Sequence, residues 1–213
     1  MTAESDTKDA NQSAASEVPK VPTRIVALGS SAGGLKALET LVKELKLPVI
    51  VKETGCGFSE STLRRLRGLG VFAVDVSGLG GTHWGRVEGG RSVPTEMRAQ
   101  AAETFRDWGV GTVESLMTAV QVARGDFDVW ASGGVRSGLD AAKLVALGAK
   151  HVGLAMPVIE AALQGEEALD QRLELLEFEM KTALFCTGAG DIQSFQDMKA
   201  WHFSNRFSGS VKT

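Results

Sequence analysis

The chain has 213 residues, 43% of them apolar and 23% charged, with a formal net charge of −3. That length holds a real hydrophobic core, and the slightly acidic balance excludes a general nucleic-acid binder, which carries a basic face. No apolar run reaches the length of a membrane span, and Cys56 and Cys186 form neither a disulfide framework nor a metal-ligand spacing, so a reducing cytoplasm is expected.

Taken in order, residues 1–20 are polar and acidic, which does not fit a secretory signal and predicts a disordered tail. Residues 21–47 read as a strand-turn-helix unit: Arg24 to Gly29 is the strand, Ser30 to Gly34 the turn, and Leu35 to Leu45 carries apolar residues at helical spacing. Pro48 to Glu53 is the next strand, ending in charge. Ser59 to Leu69 is a helix with Ser59 as N-cap, and Val71 to Val76 is a third strand. Residues 77–107 make a long connection, helical around Met97 to Thr104, and connections of that length are usually lids or binding loops. The alternation then resumes: helix Thr112 to Ala123, strand Asp126 to Ser132, helix Leu139 to Leu147, strand His151 to Ala155. A helical stretch from Val158 to Thr187, broken near Gly165, and one more helix after Asp191 complete the pattern, before a polar tail at 206–213. Alternating strands and helices predict an α/β fold with about five parallel strands, a partial (β/α) barrel, because a complete barrel needs roughly 250 residues.

Chemistry concentrates where the strands end. Lys52 follows one strand, Ser77 and Thr82 follow the next within a run of glycines, and Gly133-Gly134-Val135-Arg136 follows another. In a barrel these ends share one rim, and glycine turns that lead into helix N-termini expose N–H groups to phosphate. The turn at Gly134, Val135 and Arg136 and the turn at Ala155 and Met156 fit that geometry, so a phosphate-bearing cofactor is expected. Plainer readings stand beside these. Lys52 could be a solvated strand end, and Gly133 to Arg136 an ordinary strand-to-helix turn. His83 reads equally as a proton donor or a loop-packing residue. Trp84 and Trp108 read as core or lid residues, Cys56 as inert, and Arg64, Arg65 and Arg67 as a wet helix face. Leu169, Leu173, Leu176 and Met180 share helical spacing and read as core or interface.

Three of these stretches, Val51 to Ser59, Val74 to Trp84 and Ala131 to Asp140, resemble the FMN-dependent type 2 isopentenyl-diphosphate isomerases, and Asp107-Trp108-Gly109, Ala146 to Ala149 and Lys181 to Phe185 extend the likeness over about 48–203. The resemblance implies an FMN-binding half-barrel over 48–205 that interconverts isopentenyl and dimethylallyl diphosphate. It also implies reduced FMN, a magnesium ion, NADPH as reductant and a small-molecule diphosphate substrate, and a half-barrel, which exposes apolar strand edges, is expected to self-associate into a homo-oligomer. Carried over, Lys52 sits at the flavin pyrimidine edge and Ser77 and Thr82 bind the cofactor through their hydroxyls. Gly134, Val135 and Arg136, with Ala155 and Met156, hold its phosphate. Members are longer, and the matched region is the C-terminal half of their barrel. The basic pair for substrate diphosphate and the Gln-Glu pair for substrate and metal have no counterpart in residues 1–47. This implies a truncated isomerase.

Residues 21–45, from Val21-Pro22-Thr23-Arg24-Ile25 through Ser30-Ser31-Ala32-Gly33-Gly34, resemble instead the start of a chemotaxis-type protein-glutamate methylesterase domain. There the residue at Ser31 is the nucleophile of a Ser-His-Asp triad, but the strand that should end in the histidine ends here in Lys52. An esterase fragment and a non-catalytic chimera are therefore the alternatives to the isomerase.

Overall fold

The computed structural model describes residues 40, 43–45, 47–199 and 201. The expected tails, and most of the expected unit at 21–47 with its strand and Ser31, lie outside the described residues. Four strands are seen: β1 (Ile50–Lys52), β2 (Ala73–Asp75), β3 (Asp128–Ala131) and β4 (His151–Val152). They form one parallel sheet in the order β1-β2-β3-β4, so each strand pairs with the next in sequence. The interleaved helices are α1 (Glu60–Leu66), α2 (Trp84–Arg91), α3 (Met97–Thr104), α4 (Thr112–Ala123) and α5 (Gly138–Ala146). After β4 come α6 (Met156–Gln164), α7 (Glu166–Thr187) and α8 (Ile192–Asp197).

Register explains the layering. Val51, Val74 and Val129 are partners across three strands and pack into the main core, where Leu63 and Leu66 of α1 and Leu116 of α4 are fully buried. Successive strand residues face opposite sides, so the neighbouring row, Lys52, Asp75, Trp130 and His151, belongs to the other face. β-Branched residues in the first row suit a pleated, covered surface. The buried Ser115 hydroxyl fastens α4 to the β1–α1 loop: it accepts from the Phe58 N–H at 2.9 Å and donates to the Phe58 carbonyl at 3.2 Å.

Ser59 caps α1 by accepting from the Thr62 N–H, and Asp191 caps α8 in a capping box with Ser194. The break expected near Gly165 is real. This glycine, at φ 128°, is at once the C-cap of α6 and the N-cap of α7. The N-terminus of α5 is satisfied from α7, where Glu179 accepts from the Gly138 N–H at 2.5 Å. Gly138 must lack a side chain there, since a Cβ would lie 2.2 Å from the Leu176 carbonyl oxygen. On α7, Leu176 and Met180 are half-buried and Met180 joins the core, whereas Leu173 is exposed.

The 77–107 connection holds two helices rather than one. α2 and α3 pack against each other, with Gly89 against Ala102, and neither buries a residue. Sequence periodicity missed α2 because its residues have no apolar face. β4 is shorter than expected: the chain turns at Gly153, where a Cβ would stand 3.0 Å from the Ser132 Cβ. No helix among the described residues is long and apolar enough to cross a membrane.

Candidate functional site

The row Lys52, Asp75, Trp130 and His151 lines a cavity of about 820 Å³. Its walls are the loops that leave the strands: Ser77, Gly81 and Thr82 after β2, Ser132 to Arg136 after β3, and Gly153 to Met156 after β4. All eight residues singled out in the sequence, Lys52, Ser77, Thr82, Gly134, Val135, Arg136, Ala155 and Met156, border this one space. Its volume is that of a cofactor pocket. A second, more open cavity of about 740 Å³ lies between α4 and the Gly133–Arg136 turn, and it contains neither the lysine nor the hydroxyls.

The charged end is a closed knot. Lys52 Nζ donates to Asp75 Oδ2 at 2.6 Å and to Ser132 Oγ at 2.7 Å, and Ser132 Oγ donates to Asp75 Oδ1 at 2.8 Å. Asp75 and Ser132 are buried, while the Lys52 side chain keeps half of its surface open. Asp75 Oδ1 also accepts from the Ser77 N–H at 3.2 Å. That bond helps hold Ser77 at φ 34°, a left-handed conformation that non-glycine residues adopt only when their surroundings fix it. Beside this knot the Trp130 and His151 rings meet edge to face with centroids 4.8 Å apart, and Trp130 Nε1 is buried without a hydrogen-bond partner.

Directly after Ser132 the two glycine loops are pressed together. Gly134 has φ 78°, and a Cβ there would lie 2.6 Å from the Gly80 carbonyl oxygen. Arg136 ties the loops by donating to the carbonyls of Gly134 at 3.0 Å and Gly80 at 3.3 Å, and its own N–H donates to Asp140. Thr112, at the start of α4, donates to the Gly133 carbonyl at 2.7 Å from behind. Among the described residues, the N–H groups of Gly134, Val135, Ala155 and Met156 meet no acceptor. Unpaired N–H groups at a glycine turn and a helix N-terminus, with a lysine and hydroxyls in the same cavity, are a donor set that matches a phosphorylated, electron-rich ring cofactor. Among the described residues no group of three or more His, Cys, Asp or Glu side chains could hold a metal ion.

His83 settles on the packing role. It is buried and caps α2: Nδ1 accepts from the Arg86 N–H at 3.2 Å and Nε2 donates to the Trp108 carbonyl at 3.1 Å. Trp84 borders the cavity half-exposed, and Trp108 stands on the surface edge-on to Phe105. Burial, with Glu53 adding to it, pushes the Cys56 thiol up from its ordinary pKa, which agrees with an inert residue. Arg64 pairs with Glu60 along α1 and Arg67 with Asp126. Sequence reading gave no role to Asp75, Ser132, Trp130 or His151. They join Lys52 only through cross-strand register, which no run of residues in the sequence carries by itself.

A parallel sheet whose strand ends gather a lysine, two hydroxyl residues and two phosphate-type turns defines a cofactor-binding (β/α) barrel unit, here a partial barrel. Residues 3–202 match the family model described as FMN-dependent dehydrogenase, and the chain belongs to that family. It is 55% identical over 166 residues to an isopentenyl-diphosphate delta-isomerase of Bdellovibrio bacteriovorus, covering 78% of this chain and 48% of that protein. A Legionella pneumophila (strain Lens) protein of the same name is 56% identical over 153 residues, 72% of this chain and 44% of its own. The chain thus spans about half the length of the relatives it matches. Among solved structures, a mandelate oxidase with a monooxide FMN adduct superposes with a TM-score of 0.54 at 26% identity, over 76% of this chain and 44% of that one. A flavocytochrome b2 with benzoylformate gives 0.56 at 25% identity, over 76% and 36%.

Proposed function

We propose that the cavity binds FMN and that this chain is the cofactor-holding half of an isopentenyl-diphosphate isomerase, acting on isopentenyl and dimethylallyl diphosphate. One observation carries the reading: four separate strand ends bring all eight expected residues to a single cavity. Lys52 directs a cation at the pyrimidine edge, where it stabilises negative charge by a charge-assisted hydrogen bond. The Ser77 and Thr82 hydroxyls bond the ring and its chain. The free N–H groups of Gly134 and Val135, with those of Ala155 and Met156 at the start of α6, receive the phosphate, and Arg136 fixes the turn that presents them. When bound in its reduced form, FMN supplies the proton-transfer chemistry at carbon, and the protein orients the partners and excludes water. The half-barrel assignment over 48–205 and a cytoplasmic location follow from the same reading. So do the magnesium and NADPH requirements of the whole enzyme.

We also infer that two copies associate. β1 and β4 are the outer strands of the described sheet, and a two-fold rotation about the barrel axis would set β4 of one copy parallel to β1 of its partner. Leu175, Phe178 and Phe185 of α7 are exposed apolar side chains of the kind that association covers. Gel filtration should give a dimer; a monomer that stays monomeric at high concentration removes this inference.

The cofactor reading is tested by titrating FMN into the purified chain. Flavin fluorescence should be quenched at saturating protein, and Lys52→Ala should weaken binding at least about tenfold. Unquenched fluorescence overturns it.

A further inference from the structure

We propose that Asp75 and Ser132 are positioning residues for Lys52, and that the Asp75 carboxylate sets how strongly the cavity favours reduced over oxidised cofactor. This rests on the FMN reading above and goes beyond it to two further residues that line the same cavity. The ammonium of Lys52 has three N–H donors. Asp75 Oδ2 and Ser132 Oγ take two of them, at 2.6 and 2.7 Å, and among the described residues the third has no acceptor. Because Ser132 Oγ also bonds Asp75 Oδ1, the ammonium is held at two points of one rigid ring, and its remaining donor keeps one direction in the cavity that Lys52 lines. The same carboxylate receives the Ser77 N–H, so one buried acid orders both a cation and a hydroxyl residue on the cavity wall.

Charge follows geometry. Asp75 is buried and Lys52 half-open, so the pair brings no net charge to that end of the cavity, and the carboxylate tempers the attraction of Lys52 for a ring that becomes anionic on reduction. Asp75→Asn keeps the shape and an acceptor for Ser77 but removes the opposing charge.

The experiment measures the affinities of oxidised and reduced FMN for the whole chain and takes their ratio. Wild type, Asp75→Asn, Lys52→Met and the double variant are compared. Asp75→Asn should shift the ratio toward the reduced form by about tenfold, equivalent to a potential raised by ~30 mV for a two-electron couple. In the Lys52→Met background the same change should shift the ratio at least as far, because the carboxylate there faces the ring with no cation to offset it. An unmoved ratio in Asp75→Asn overturns the proposal while FMN binding itself stands. Failure of the wild type to bind FMN removes both readings together. Should Asp75→Asn not fold, Ser132→Ala with Lys52→Met serves. The two losses in reduced-FMN affinity should be non-additive by at least about threefold, and additive losses overturn the positioning role.

Discussion

Gly81 and Gly134 meet back to back in the cavity wall, so closely that a Cβ on Gly81 would lie 2.7 Å from the Gly134 amide nitrogen. The pair joins the loop after β2 to the loop after β3, and Gly134 adds a backbone at φ 78° that a side chain disfavours. Gly134→Ala should therefore cost on the order of 2 kcal/mol of stability through strain and displaced backbone. Urea unfolding should show the lower midpoint, and FMN affinity should fall with it. A wild-type midpoint would mean that the loops separate freely.

His83 ties the start of α2 to the Trp108 carbonyl beyond α3 through its two ring nitrogens. Its replacement by alanine removes a helix cap worth about 1 kcal/mol. The expected result is faster limited proteolysis within 84–107, with FMN affinity changed by less than about threefold because the ring does not border the cavity. A large loss of affinity with normal proteolysis would return His83 to a role beside the ligand.

Leu116 on α4 is fully buried between the sheet and α1, among Val74, Leu63 and Leu66. Leu116→Ala should destabilise the chain by roughly 3 kcal/mol, the transfer term plus an unfilled cavity. Chemical denaturation reads this directly; a loss below about 1 kcal/mol would mean that the core collapses onto the space.

Asp191 caps α8, and the backbone N–H of Ser194, followed by its side chain, holds the Asp191 carboxyl below the ordinary carboxylate pKa. A lowered pKa in the folded state means the cap stabilises the helix above the unfolded value of about 4 and that this is lost as pH falls through the folded one. The protection factor of the Ser194 amide should decline over that acid range. Asp191→Asn, which retains an acceptor without titrating, should abolish the decline. Protection independent of pH in the unaltered chain would contradict the assignment.

The sequence conveyed the fold well wherever an apolar period ran unbroken. Helix Thr112–Ala123 has the bounds that periodicity assigns, because Leu116, Ala119 and Val122 recur on its buried face. Helix Trp84–Arg91 was invisible, since a helix without a buried residue leaves no period to detect. The site divided along another line. Lys52, Ser77, Thr82 and the glycine turns announce themselves by following strands. Asp75 and Ser132 sit inside the same motifs, but their importance depends on cross-strand register, which places Lys52 beside Asp75 and brings Ser132 to both. No local pattern encodes that third dimension. His83 is the converse: its residue type suggested chemistry, and its neighbours assign it to architecture.

The strand order gives the chain an unusual freedom in how it is assembled. Since each of the four described strands bonds only to its neighbours in sequence, the hydrogen bonds between the second and third take no account of what adjoins the first or the fourth. Whole strand-helix modules could be added or exchanged at either flank, and the interior ladder and the ammonium-carboxylate knot built on it would keep their register.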